Sequence, residues 1–294
     1  MILHASESIF IQKHEDSSMM KKLSDYQPFL TALLRSCTKE IHFTAREPLN
    51  EVLRQPRLVC AVNHSTPLSW IPPICLLTEK ACEAGGGDRV PRGIIDKFFY
   101  SVPLLNKVAE YLTQSDHPQG FEEILQDFTG RERTDLVVFP EGALSFFGDL
   151  RQVQPFRSPR FLEIAVRARA PILLAVHHGT EEWNSLIPIP HEAAPYVSMV
   201  SKFFGRKWEE ENFLNIPINF KRLERFSMAT QLYRPKLTGS QLAEDPQELR
   251  EQLAAECEKI RALMQSLYED LAAKAAKVPP SRDSAPVKNS VGAK

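Results

Sequence analysis

Apolar residues recur along this chain at two spacings, and stretches of each kind alternate. Between residues 21 and 40, Phe29, Leu30, Leu33, Leu34 and Cys37 share one face at helical spacing, which predicts a helix packed on a core or resting on a bilayer. IHFTAREPL, from residue 41, reads as a strand ended by a proline turn. RLVCAV at 57–62 is an unbroken apolar run, suited to a strand covered on both faces. It leads directly into NHSTPLSW. The apolar run near 70–77 has the length of a core strand or core helix. Gly85-Gly86-Gly87 marks a loop, and GIIDKFF from 93 starts a second strand. Residues 118–128 read as a helix, with Pro118 in its first turn. DLVVFPEG at 135–142 is a third strand ending in a sharp turn. Residues 159–169 are helical and PILLAV at 171–176 is a fourth strand.

The clearest helix covers 245–277. Asp245-Pro246-Gln247-Glu248 is a capping-box start with proline in the first turn. Leu249, Leu253, Cys257, Ile260, Met264, Leu267 and Leu271 then form one apolar side, which should pack on the domain rather than on a second copy. Strands alternating with helices predict an α/β fold: a mostly parallel central sheet flanked by helices, with an N-terminal helix and a long C-terminal one. No internal repeat is visible. One domain should span 21–277. Residues 1–20 and the basic, proline- and serine-containing 278–294 read as disordered ends.

Composition narrows the function classes. The 294 residues are 43% apolar and 25% charged, ordinary for a globular protein, and 36 basic against 37 acidic residues give a net charge of −1. No basic field is present to hold nucleic acid, so none is expected as a partner. No apolar run reaches the roughly 18–20 residues of a membrane span. MILHASESIFIQKHEDSS carries acidic residues and no long apolar segment, so it does not read as a secretory signal. The five cysteines include no Cys-x-x-Cys pair, which predicts free thiols in a cytoplasmic protein and no structural zinc. Basic and aromatic residues mix at 202–208 and 220–226, which suits an anionic membrane interface or helices whose aromatics face the core.

Two stretches can carry chemistry. His64 follows a buried strand, with Asn63 before it and Pro67 after it. In an open α/β sheet that is the edge where ligands bind, and an imidazole there can act as general base near neutral pH. FPEGALS at 139–145 ends the third strand. Its glycine tolerates a turn other residues resist, its amide can meet an anion or oxyanion, and Glu141 can accept from a substrate hydroxyl. His177, His178, Glu181 and Glu182 follow the fourth strand without a metal-binding helical spacing, so no metal is expected. Gly-x-Ser-x-Gly is absent, and the glycine run lacks the pattern of a P-loop or a dinucleotide site.

Taken together and in this order, the two stretches resemble the glycerolipid acyltransferase family, which includes 1-acylglycerol-3-phosphate acyltransferases and tafazzin-like enzymes. AREPLNEVLRQPRLVCAVNHSTPLSW resembles its first strand and Asn-His-four-residues-Asp block, and LVVFPEGALS its Phe-Pro-Glu-Gly-Thr-Arg-Ser block. KFFYSVPLLNKVAEYLTQSDH, PFRSPRF and APILLAV are similar to the intervening and later segments, so the likeness covers about 43–180.

The resemblance implies a membrane-peripheral transferase of phospholipid biosynthesis. Acyl-CoA or acyl-carrier protein would donate the acyl group to a hydroxyl of a lyso-glycerolipid or related acceptor, with no other cofactor. His64 would be the base, with Ser69 and Glu141 beside it. Asn63, Gly142, Ser145, His117, Arg157 and Arg160 would bind substrate. The chain departs from the family at four points, one of them Ala143 where the family has Thr. Ser69 stands where the family has the Asp that orients the imidazole, leaving Asp88 and Asp96 as candidate replacements. Leu144 stands for a phosphate-gripping Arg, and His117 for another. The losses at Ser69 and Leu144 keep open a catalytically degenerate lipid-binding protein, and a third reading is a thioester or lipid hydrolase using His64 with water.

Overall fold

The computed structural model describes residues 20–64, 68–142, 151–188, 213–219 and 221–277. In chain order the helices are α1 (Leu23–Cys37), α2 (Leu49–Val52), α3 (Ile71–Glu83), α4 (Phe98–Ser101), α5 (Leu105–Thr113), α6 (Phe121–Thr129), α7 (Arg160–Arg167) and α8 (Pro246–Ala276). The strands are β1 (Thr38–Ala45), β2 (Arg57–Val62), β3 (Val90–Gly93), β4 (Thr134–Val138), β5 (Ile172–His178), β6 (Asn184–Pro188), β7 (Phe213–Pro217) and β8 (Leu223–Tyr233). Six strands form one sheet in the order β1-β8-β5-β2-β4-β3, and β6 and β7 form a separate antiparallel pair. β5, β2, β4 and β3 run parallel. β8 runs against β5 and parallel to β1. The fold is α/β with a mostly parallel sheet, as the alternating pattern predicts.

Alternate side chains of the central strands enter two cores. Leu58, Cys60 and Val62 of β2 face Leu34 of α1, Val52 of α2 and Leu76 of α3. Val59 and Ala61 face Phe128 of α6, Leu162 of α7 and Ile260, Met264 and Leu267 of α8. Strands buried on both sides have no polar alternation, which is why 57–62 reads as an unbroken apolar run. Asp245 starts α8 as expected, its Oδ1 accepting from the amides of Gln247 and Glu248 at 2.9 and 3.0 Å. The apolar run near 70–77 is helix α3, with proline at its first positions.

The topology makes a switch point between β2 and β4. The chain leaves β2 through α3, on one face of the sheet, and leaves the neighbouring β4 toward α7, on the other. The carboxyl ends of two adjacent parallel strands therefore part there, which is where ligands bind in open α/β sheets. His64 follows β2, and the Phe139–Gly142 turn follows β4.

Three expectations need correction. GIIDKFF is not a strand: β3 lies just upstream, and Phe98 and Phe99 open α4 on the surface. β3 is an edge strand with a proline and an arginine among its four residues, so it has no apolar signature. The described part of 220–226 leads into strand β8 and forms no helix, and its aromatic faces the core. Phe226 is fully buried in β8, and Arg222 and Arg225 donate to the carbonyls of Arg35, Thr38 and Ala275. In α1, Leu34 is buried while Phe29 is 63% exposed, so the apolar face of the helix is split. The readings of 202–208, of residues 1–19 and of 278–294 fall outside the described residues.

A buried ion pair anchors the opposite edge of the sheet. Arg89, with no exposed surface, donates from Nε to both carboxylate oxygens of Asp135 at 3.0 and 2.8 Å, and from Nη1 to the carbonyls of Leu53 and Gln55. Burial pushes the Asp135 carboxyl up, and the guanidinium pulls against it. The pair ties β3 and β4 to the turn before β2. Arg89→Met, which strands the buried carboxylate, should cost about 3–5 kcal/mol in urea unfolding, and adding Asp135→Leu should recover most of it. Equal stability of wild type and Arg89→Met would refute this account.

A candidate active site at the carboxyl edge of the sheet

β2 continues one residue past its end, because Asn63 donates its amide to the Ala175 carbonyl at 3.2 Å. The Asn63 side chain then mimics a strand. Its Oδ1 accepts from the His177 amide at 2.8 Å, and its Nδ2 donates to the His177 carbonyl at 3.3 Å. The His177 ring closes the lock by donating from Nε2 to the Asn63 carbonyl at 2.9 Å. A carbonyl only accepts, so His177 carries its proton on Nε2, and Thr180 Oγ1 donates to Nδ1 at 3.3 Å. His177 is fully buried. Burial pulls its pKa down to about 3, with His64 and His178 adding to the fall and the Asn63 hydrogen bond opposing it.

The next amide is held from the other side. His64 N–H donates to Glu141 Oε2, and Glu141 Oε1 accepts the Gln154 amide at 3.2 Å. Glu141 is 1% exposed, and burial pushes its carboxyl up to about 8 against those two hydrogen bonds. The peptide unit joining Asn63 to His64 is thus gripped at its oxygen by β5 and at its nitrogen by the turn after β4.

The His64 ring lies 5.2 Å from the Phe139 ring, and its Nδ1 is 3.3 Å from the Gly142 carbonyl. That contact is a hydrogen bond when Nδ1 carries the proton, which leaves the lone pair on Nε2. Gly142 has φ +56°, and a Cβ there would stand 3.4 Å from Arg157 Cδ. The left-handed turn favours glycine, while the Arg157 side chain would leave a Cβ in ordinary contact. The Arg157 amide donates to the Pro140 carbonyl at 2.8 Å, and its Nη1 to Asp96 Oδ2 at 2.8 Å. Burial acts to raise the Asp96 carboxyl, but the Phe98 amide and the Arg157 guanidinium outweigh it and hold it below its ordinary range.

The structure brings Asn63, His64, Glu141, Gly142 and Arg157 together, and it corrects the parts read for two of them. Both Glu141 oxygens take backbone amides, so Glu141 positions the chain and does not face a substrate hydroxyl. The Gly142 amide donates to the Phe139 carbonyl at 3.0 Å, so the turn itself uses the group read as an oxyanion donor. Ser69 is fully buried ahead of α3, and Arg160 is exposed at the first turn of α7.

His117 stays apart. It is exposed, its ring lies between Asp116 at 2.7 Å and Glu123 at 2.8 Å, and those carboxylates raise its pKa. Two acidic neighbours oppose a phosphate there. Of the candidate replacements for the family's Asp, Asp88 pairs with Arg133 next to β3's amino end, and Asp96 is held by Arg157. Ser145 and Leu144 lie outside the described residues.

Sequence reading missed the lock between Asn63 and His177. The available signal was a histidine directly continuing an apolar strand, at ILLAVHH. Among the described residues no group of three His, Cys, Asp or Glu is arranged to hold a metal ion. Neither a scan against protein-family models nor a search of the curated proteins finds a match for this chain.

Two pH effects of opposite sign follow. Glu141 ionises near 4.5 in the unfolded chain but near 8 in the fold, so its contribution to stability falls as pH rises across that window. Urea unfolding of Glu141→Gln should show a flatter decline there. His177 protonates near 6.5 unfolded but near 3 folded, so its contribution is lost as pH falls below 6.5. His177→Gln, which keeps an N–H for the Asn63 carbonyl, should flatten the acid limb. Parallel curves for variant and wild type would refute either assignment.

Proposed function

We propose that this protein transfers a fatty acyl group from an acyl thioester, acyl-CoA or acyl-carrier protein, to a hydroxyl of a lyso-glycerolipid or related acceptor. The observation that carries the reading is the meeting of His64 with the Phe139–Gly142 turn, 78 residues on, at the carboxyl ends of β2 and β4. This is the juxtaposition that the acyltransferase resemblance requires of its two blocks.

In the proposed reaction, the acceptor hydroxyl attacks the thioester carbonyl while His64 Nε2 takes its proton. An alcohol ionises far above neutrality, so it needs a positioned base, and a neutral imidazole is the best-matched side chain. The tetrahedral intermediate collapses with cleavage of the carbon–sulfur bond. The thiolate takes the proton from His64 and leaves as the thiol, and the acyl ester remains. The Gly142 carbonyl takes over the orienting part of the family's Asp: it selects the tautomer and aims the ring. A carbonyl carries no full charge, so that contact orients the ring without itself balancing the imidazolium.

Glu141 and His177 act indirectly, by holding the backbone on which His64 is mounted. Arg157, 41% exposed, offers a guanidinium to a phosphate of the acceptor or of the donor. Such an anion competes with Asp96 for it. Amphiphilic substrates place the protein on the cytoplasmic surface of a membrane, as a peripheral protein. Among the described residues no helix is long and apolar enough to cross one.

Thiol release from acyl-CoA with a lyso-lipid acceptor tests the reading. His64→Ala should lower kcat by roughly 10²–10⁴-fold, the usual worth of a general base. Equal release by variant and wild type would overturn the proposal. Free fatty acid formed without acceptor would favour the hydrolase reading. Acyl-CoA binding without release would favour the lipid-binding reading, to which Ser69 and Leu144 already point.

A further inference from the structure

A surface helix normally turns its polar residues outward. α5 does not. Ala109 and Thr113 are buried on its inner side, yet Leu104, Val108 and Tyr111, at helical spacing on the other side, are 83%, 45% and 38% exposed. Phe98 and Phe99 of α4, just upstream, are exposed as well, their rings meeting edge to face at 6.1 Å. Most of the large apolar side chains exposed among the described residues thus fall in this one stretch of two short helices. Leu104 joins the helices at φ +71°, a backbone conformation costly for leucine, and it presents the barest apolar side chain of the set.

Charge and position indicate what covers this face. Lys97 adjoins Phe98, and the Lys21 ammonium stands 4.3 Å from the Tyr111 ring centre. Neither lysine is in an ion pair among the described residues, whereas Lys107 pairs with Glu110. Apolar tips with basic side chains at the rim match the boundary between lipid headgroups and acyl chains, with anionic headgroups complementing the lysines. The face is also continuous with the candidate active site. Asp96, next to Lys97, is bridged to Arg157, whose side chain lies against Gly142.

We infer that α4, α5 and the Leu104 turn form the face by which this protein docks on a bilayer containing anionic phospholipid, with Leu104 inserted. The inference rests on the acyl-transfer reading only for the reason a membrane is needed; docking does not require catalysis. It gives membrane association to a surface that the sequence pattern read as the start of a strand.

Co-sedimentation of the full chain with phosphatidylglycerol/phosphatidylcholine vesicles tests it. Wild-type protein should bind, more weakly as phosphatidylglycerol is reduced. Leu104→Asp combined with Val108→Glu should lower the partition coefficient roughly tenfold or more, as two apolar side chains no longer leave water. Both positions are exposed, so the thermal midpoint should stay within a few degrees. His64→Ala should bind vesicles like wild type. Vesicle binding without thiol release would sink the acyl-transfer reading and leave the docking face standing. Undiminished binding by the double variant would overturn the inference. So would a wild-type protein that ignores vesicles, including one in which the same substitutions break a dimer.

Discussion

One peptide unit organises the candidate site. A peptide is planar and rigid, so fixing its oxygen and its nitrogen fixes the direction of the chain beyond it. Between Asn63 and His64 both atoms are fixed by groups from elsewhere in the chain: the His177 ring of β5 holds the oxygen, and the Glu141 carboxyl of the turn after β4 holds the nitrogen. The arrangement needs β2 to lie between β4 and β5, and hence a sheet order that the chain reaches only by crossing over itself. It also needs a dry environment. Burial keeps His177 a neutral donor, whereas at Glu141 it works against the ionised form that the two amides favour.

This arrangement separates holding His64 from tuning it. In a hydrolase-type pair, one carboxylate both orients the imidazole and stabilises its charge. Here the carboxyl nearest in sequence logic, Glu141, accepts backbone amides, and the Gly142 carbonyl lies within hydrogen-bonding reach of the ring. Arg157 adds a cation beside the turn, while Asp96 restrains that cation and links it to the exposed apolar helices. On the proposed reading, chemistry, anion recognition and membrane contact therefore share one edge of the sheet. The opposite edge carries the buried pair of Arg89 and Asp135.

Legibility in the sequence followed the range of the interactions. β2 and α8 were readable almost to the residue, because a strand buried on both faces and a helix with one apolar face leave local patterns. β3 was misplaced because an edge strand with Pro91 and a buried Arg92 owes its existence to a neighbour. The start of β8, within 220–226, read either as a basic, aromatic surface or as a helix with its aromatics on the core. Its pairing with β1 joins residues some 185 positions apart, and nothing local reports that Phe226 is covered. The site was legible as a pair of blocks: NHSTPLSW and FPEGALS both read as ends of buried strands.

Residue types and order, by themselves, determined that this is an α/β chain with its reactive groups at strand ends, because apolar periodicity and turn residues act over a few positions. Only the tertiary structure decided what each group faces. Glu141 turned to amides, the Gly142 amide was taken up by its own turn, His117 was set between carboxylates, and His177 became a lock. A hydrogen bond is directional and short, and burial depends on every neighbour at once. The partner of a polar atom is therefore settled only when the strands on either side have been placed.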